Sequence, residues 1–166
     1  MICARGGELA VDTARYLSSN YHVHICGFGN DEQTSLIMDK IQETAKSCAC
    51  EVSFEGCLHG EDYIQLLQKC DIGLSTQNPD SAFNASSFPS KILSYMSNGL
   101  QVVSIRIPAI EDSAVGDYMY YYDTPSPEAV AEAIRKIDLD NCSDPRSIIE
   151  NLDAEFCENI KMILET

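Results

Sequence analysis

The sequence predicts an α/β fold, a parallel sheet flanked by helices on both faces, and three observations carry that reading. Short apolar runs alternate along the chain with amphipathic stretches at helical spacing, the mark of a parallel sheet covered on both sides. A length of 166 residues is that of one domain, enough to bury roughly 70% of its unfolded surface. Hydrophobic residues make up 45% and charged residues 22%, as in ordinary globular domains.

Residues 1–4 read as a first strand. Residues 8–19 read as a helix with Leu9, Thr13, Tyr16 and Leu17 inward, and 21–26 as a strand stopped by Gly27-Phe28-Gly29-Asn30. The clearest helix spans 33–48, where Ile37, Ile41, Ala45 and Cys48 form one stripe. A strand at 51–54 ends at Gly56. Helix 61–69 aligns Tyr63, Leu66, Leu67 and the following Cys70, and a strand at 70–75 comes next. A polar loop at 76–87, rich in Asn and Ser, leads to a helix at 90–97, a strand at 101–107 and an aromatic strand at 118–122. Ser126-Pro127-Glu128 starts a helix running to about residue 137, with Ser as cap and Pro in the first turn. Residues 141–145 form a turn-rich link, and 147–164 carries one or two terminal helices. No internal repeat or low-complexity tract interrupts this order.

Charge narrows the function classes. A net charge of −15 repels the phosphates of nucleic acid, so nucleic acid is not an expected partner. Anionic membrane surfaces are disfavoured too, and no apolar run approaches the roughly 20 residues needed for insertion into a bilayer. Residues 1–11 lack the basic and apolar regions of a signal peptide. Among eight cysteines the only close pair is Cys48-Ala49-Cys50, and no C-x-x-C occurs. Cys26, Cys57 and Cys70 sit in or beside apolar runs, where a thiol behaves as a small buried hydrophobe. The pattern reads as reduced thiols in a cytoplasmic protein. No metal is expected: His22 and His24 share one strand face but lack a third ligand. His59, after the Gly56 turn, has two readings, a solvated loop histidine or one that reaches the crevice, and Glu111, Asp112 and Asp117 read as a solvated loop.

The most informative stretch is Ser86-Ser87-Phe88-Pro89-Ser90-Lys91-Ile92-Leu93-Ser94-Tyr95-Met96-Ser97-Asn98-Gly99-Leu100-Gln101-Val102-Val103-Ser104. It reads as loop, short helix, glycine stop and buried strand. Ile92, Tyr95 and Met96 recur at helical spacing, and Asn98-Gly99 supplies the left-handed stop. Ser87 or Ser90 caps the helix, whose unpaired backbone N–H groups lie beside Lys91. Two readings fit: an ordinary capped helix, or a seat for a phosphate or pyrophosphate.

Phe88-Pro89-Ser90-Lys91, then Tyr95-Met96-Ser97-Asn98-Gly99-Leu100 and Val102-Val103, resembles the signature region of bacterial GT-B glycosyltransferases of the group 1 type. Three further segments agree in order: His24-Ile25-Cys26-Gly27-Phe28-Gly29, Val52 to Leu58, and Leu66 to Ser75. The likeness spans roughly residues 2–137. It implies that residues 1–166 are a single Rossmann-like donor-binding domain, one half of a GT-B architecture, with C-terminal helices at about 145–165. The N-terminal acceptor-binding domain is then absent. The implied partner is a UDP- or GDP-linked sugar, bound as substrate and not as cofactor. The implied acceptor, a glycan or lipid-linked glycan of surface polysaccharide synthesis, is held by the missing half.

By the same resemblance Gly27 and Gly29 flank the crevice, Cys57 and Leu58 face the nucleotide base, and Thr76 follows the fourth strand. Ser86, Ser87, Phe88 and Ser90 approach the donor, and Lys91 stabilises the leaving diphosphate as the catalytic group. Two departures stand out. Ser94 occupies a position where such enzymes usually carry a glutamate for the ribose hydroxyls, and Ser86 that of its common partner. Near the N-terminus the phosphate-neutralising pair is reduced to Arg5, followed by Gly6-Gly7-Glu8. These departures keep a second class open, a non-catalytic nucleotide or sugar-nucleotide binding module. A third is a flavodoxin-like or response-regulator-like signalling domain; the response-regulator version needs acidic strand ends, and here they carry mostly Gly, Ser and Thr.

Overall fold

The computed structural model describes residues 1–5, 7–27, 30–79 and 87–165, with Arg5 described by its backbone alone. Among these residues six strands form one sheet: β1 (Ile2–Arg5), β2 (His22–Cys26), β3 (Glu51–Gly56), β4 (Ile72–Ser75), β5 (Gln101–Ile105) and β6 (Met119–Tyr122). Their order is β3-β2-β1-β4-β5-β6, and every pairing is parallel. The central strands are mostly apolar, as burial on both faces requires: Ile72 to Ser75 and Gln101 to Ile105 are buried at every position, with Ser75, Gln101 and Ser104 as the polar members. This order differs from the flavodoxin-like one, which removes that reading.

Among the described residues seven helices connect and cover the sheet: α1 (Glu8–Thr13), α2 (Asp31–Ala45), α3 (Gly60–Leu67), α4 (Lys91–Ser97), α5 (Pro108–Glu111), α6 (Pro127–Arg135) and α7 (Pro145–Leu164). Helix α1 packs with α2 and α6 in one layer; α4 packs on β4 and β5 and against α7 in the other. Gly73 sets the approach of α4, since a Cβ there would stand 2.4 Å from the ring of the fully buried Tyr95. Gly99, at φ +89, ends α4 in the left-handed conformation that the sequence predicts. Ser126 caps α6 by accepting from the Ala129 N–H at 3.2 Å.

Several expectations need correction. The first helix breaks after Thr13 into a 3-10 turn, Ala14–Tyr16, and Tyr16 points outward to hydrogen-bond Glu128. Helix α2 starts two residues early because Asn30 caps it, and Thr44, not Ala45, faces the core. The strand ending at residue 107 stops at Ile105. Pro108 then opens the short α5, and Gly116–Tyr118 forms a 3-10 turn, so Glu111 and Asp117 sit in helical turns. Cys26 and Cys70 are buried, but Cys57 is exposed, because it lies beyond the end of β3. The C-terminus is one helix, capped by Asp144, whose side chain accepts from the Arg146 N–H. Among the described residues no helix is long and apolar enough to cross a membrane.

Candidate functional site

The chain leaves β1 toward β2 and β3, then crosses back to β4 and continues outward to β6. The reversal falls between β1 and β4, and in such sheets ligands bind outside the carboxyl ends of the strands at this point. Gly7, just past β1, has φ +103, and a Cβ there would meet the Thr76 Oγ1 at 3.3 Å. The loops after β1 and β4 therefore touch, with glycine allowing both the backbone angle and the close approach.

A second part of this edge lies at β2 and β3. The Gly27 N–H donates to the Gly56 carbonyl at 3.0 Å, tying the two strand ends together. Gly56 at φ +71 and Gly60 at φ +53 bracket Cys57, Leu58 and His59 in a short turn. Cys26, Gly27, Cys57, Leu58, His59 and Tyr63 line a cavity of about 150 Å³ there. A larger cavity, about 280 Å³, shares Cys26 and Gly27 with it and is bounded by Gly7, Ile25, Gln33, Ile37 and Phe54. The sequence reading missed this space, although the helical stripe through Ile37 points at it.

The start of α4 carries the remaining predicted groups. Lys91 is its first residue and is half-buried; Ser90 precedes it, exposed, with helical angles and no side-chain capping bond. Ser90 thus stands at the N-cap position, ahead of which Ser87 lies, but forms no capping bond with its side chain. Ser87 and Phe88 are half-buried, and Phe88 packs on the core. Ser94 is exposed one turn on. Gly29 and Ser86 lie outside the described residues, and of Arg5 only the backbone is placed, paired with Cys26. Gly27, Cys57 and Leu58 come together in one cavity. Lys91 belongs to the segment after β4, three strand spacings from β3, roughly 14 Å at about 4.8 Å per spacing.

The histidines form a polar layer beneath this edge. His22 Nε2 lies 2.9 Å from Ser53 Oγ, and His24 Nδ1 lies 2.8 Å from a Glu55 carboxylate oxygen. The two rings stand 3.9 Å apart. A register shift between Ile25 and Cys26 leaves Glu55 as the extra residue of β3, which lets its carboxylate reach His24. Hydrogen bonds from Ser53, then from His24, hold the Glu55 carboxyl below its usual range. Burial, then the neighbouring His24, pushes His22 below its ordinary value. Among the described residues no group of three His, Cys, Asp or Glu side chains stands close enough to hold a metal ion. Cys3 hydrogen-bonds Cys26 and Cys70 within the core, and these contacts and burial push its thiol up, so it stays protonated.

The model of the glycosyl transferases group 1 family matches residues 5–140, most of the chain. The chain belongs to that family. Among solved structures it is similar to the catalytic domain of cholesterol-alpha-glucosyltransferase from Helicobacter pylori, at 15% identity and a TM-score of 0.55. That match covers 99% of this chain and 98% of the other, and at such identity it is a likeness of fold. No curated protein sequence matches the chain. The group 1 assignment and the fold likeness both agree with the Rossmann-like reading of the sheet.

Proposed function

We propose that this group 1 glycosyltransferase domain binds a UDP- or GDP-linked sugar and supplies the donor half of a sugar transfer. One observation carries the reading: in a chain of this family, the loops after β1 and β4 meet at the sheet's reversal point through Gly7 and Thr76. A crevice between two such loops suits a diphosphate, which backbone N–H groups bind without a cationic surface. The base would lie toward Cys57 and Leu58 in the small cavity, next to Gly27. The diphosphate would lie toward Thr76, Ser87, Ser90 and Lys91, with Arg5, Gly29, Phe88 and Ser86 around it and Ser94 near the ribose.

As the sugar–phosphate bond breaks, negative charge grows on the departing diphosphate. Lys91 and fixed N–H dipoles would stabilise that charge more in the transition state than in the bound donor, which is what speeds the step. The acceptor, a glycan or lipid-linked glycan of surface polysaccharide synthesis, would be held by a separate acceptor-binding half. None of the eight cysteines is joined in a disulfide, which supports action in the reducing cytoplasm where sugar nucleotides are made.

Isothermal titration with UDP and GDP tests the reading. Binding of one of them is expected, and Lys91→Ala should weaken it about tenfold or more, the worth of one charge-assisted hydrogen bond. An unchanged affinity removes Lys91 from the site; binding of neither nucleotide removes the donor role. The exposed Ser94, in place of a carboxylate, favours a second reading as a non-catalytic sugar-nucleotide module. Release of UDP or GDP from the sugar nucleotide on adding an acceptor half and acceptor separates the two.

A further inference from the structure

The turn after β3 holds a pairing that the donor reading does not use. Cys57 Sγ lies 2.9 Å from His59 Nε2, and both residues are exposed. Exposure distinguishes this thiol from Cys3, Cys26, Cys50 and Cys70, which are buried. It also differs from Cys157, the other exposed thiol, which stands on α7 with only helix neighbours in sequence. The two residues lie on a short backbone segment between two left-handed glycines, Gly56 and Gly60. A nucleophile within hydrogen-bond reach of a base is the arrangement that activates a thiol.

We propose that Cys57 is a reactive thiol, with His59 as its base, that forms mixed disulfides with low-molecular-weight disulfides at the mouth of the cavity it lines. With the imidazole in its Nδ1–H form, Nε2 takes the Cys57 proton as Sγ attacks one sulfur of the disulfide. The new S–S bond forms as the old one breaks, and the imidazolium returns the proton to the departing thiolate. One disulfide and one thiol become one mixed disulfide and one thiol, with no net oxidation. The adduct would sit against Gly27, Leu58 and Tyr63, which line the same cavity. On the function proposed above, it would compete with the nucleotide base, and the domain would lose donor binding under oxidising conditions.

Oxidised glutathione and the full chain provide the test, with the mass shift on each cysteine-containing peptide followed in time. Cys57 should be modified at least about tenfold faster than Cys157, the size expected of a positioned general base. His59→Gln should bring Cys57 to the rate of Cys157 and leave Cys157 unchanged. His59→Asn, which suits the helix-capping position His59 holds, is the second variant and should behave alike. Equal rates at the two cysteines in the unmodified chain, or a Cys57 rate indifferent to both substitutions, would overturn the proposal. The consequence for binding rests on the donor reading and is tested separately, by adding UDP. Protection of Cys57 alone supports the shared cavity; fast modification without protection counts against that cavity's role and not against the thiol.

Discussion

At the scale of single residues, the polar layer of His22, His24, Ser53 and Glu55 makes stability depend on pH. His22 is disfavoured as a cation in the fold by burial and by His24, while Glu51, Glu55 and the distant N-terminal amine act on it more weakly. Its folded pKa lies below 6.5, so as pH falls through 6.5 the unfolded chain takes up the proton first and stability drops. Glu55 acts in the same direction at lower pH. Its depressed pKa contributes stability above 4.5, and that contribution is lost as pH falls through the folded value. Urea midpoints should therefore fall on acidification from about pH 7 to about pH 5. His22→Gln should flatten that part of the curve, and Glu55→Gln the part below. A His22→Gln protein with the original slope would show that another group carries it. The sequence made the two histidines legible as neighbours on one strand face. It did not reveal Glu55 as their partner, because the register shift that turns Glu55 toward His24 is a property of the β2–β3 pairing. Cys57 was misread for a related reason: its apolar neighbours suggested burial, but the chain turns away at Gly56 before reaching it.

At the scale of elements, helix ends decided where the sequence reading succeeded. Ser126-Pro127 carries its signal in adjacent residues and was placed to the residue. The start of α2 was placed late because its signal is reciprocal: Asn30 Oδ1 accepts from the Gln33 N–H at 2.8 Å, and Gln33 Oε1 accepts from the Asn30 N–H at 3.2 Å. The apolar stripe begins only further on, so periodicity alone missed the first turn. Asn30→Ala removes one side of this box and should cost about 1 kcal/mol in urea unfolding. A loss well under half that would mean that Asp31 and Glu32, in the first turn, already satisfy the helix end through its dipole. The short α5 was missed although Pro108 marks it, because Ile107 looked like the last residue of a strand. Ile107 is buried as that reading needs, but it stands one residue before a helix. For the candidate site the same limit applied. The segments after β2, β3 and β4 were each legible, whereas the contact of Gly7 with Thr76 depends on strand order, which no local pattern encodes.

At the scale of the whole molecule, α7 joins a half that belongs to the core to a half that does not. Ile148, Ile149 and Leu152 pack against the core, and Arg146 lies over Gly99 at the end of α4. Beyond residue 152 every described position is exposed, and Phe156, Ile163 and Leu164 are 63%, 71% and 79% exposed. With Ile160 between them, these side chains continue the inner stripe by steps of three and four, and the one or two terminal helices that the sequence predicts are a single helix. What the sequence cannot show is where the body of the domain ends beneath that stripe. Apolar side chains left in water contribute nothing to folding by burial. Ending the chain after Asp153 should therefore leave urea-unfolding stability within about 0.5 kcal/mol of the full chain, the range of changes that touch no core group. Ending it after Ser147 removes three side chains packed on the core and should cost about 2 kcal/mol or more. If the shorter cut destabilised the domain as much as the longer one, the exposed turns would be holding α7 together through helix length, since short helices are marginal. If neither cut mattered, the sheet with α4 and α6 would be self-sufficient, and the contact between α7 and α4 would have no role in the stability of the fold.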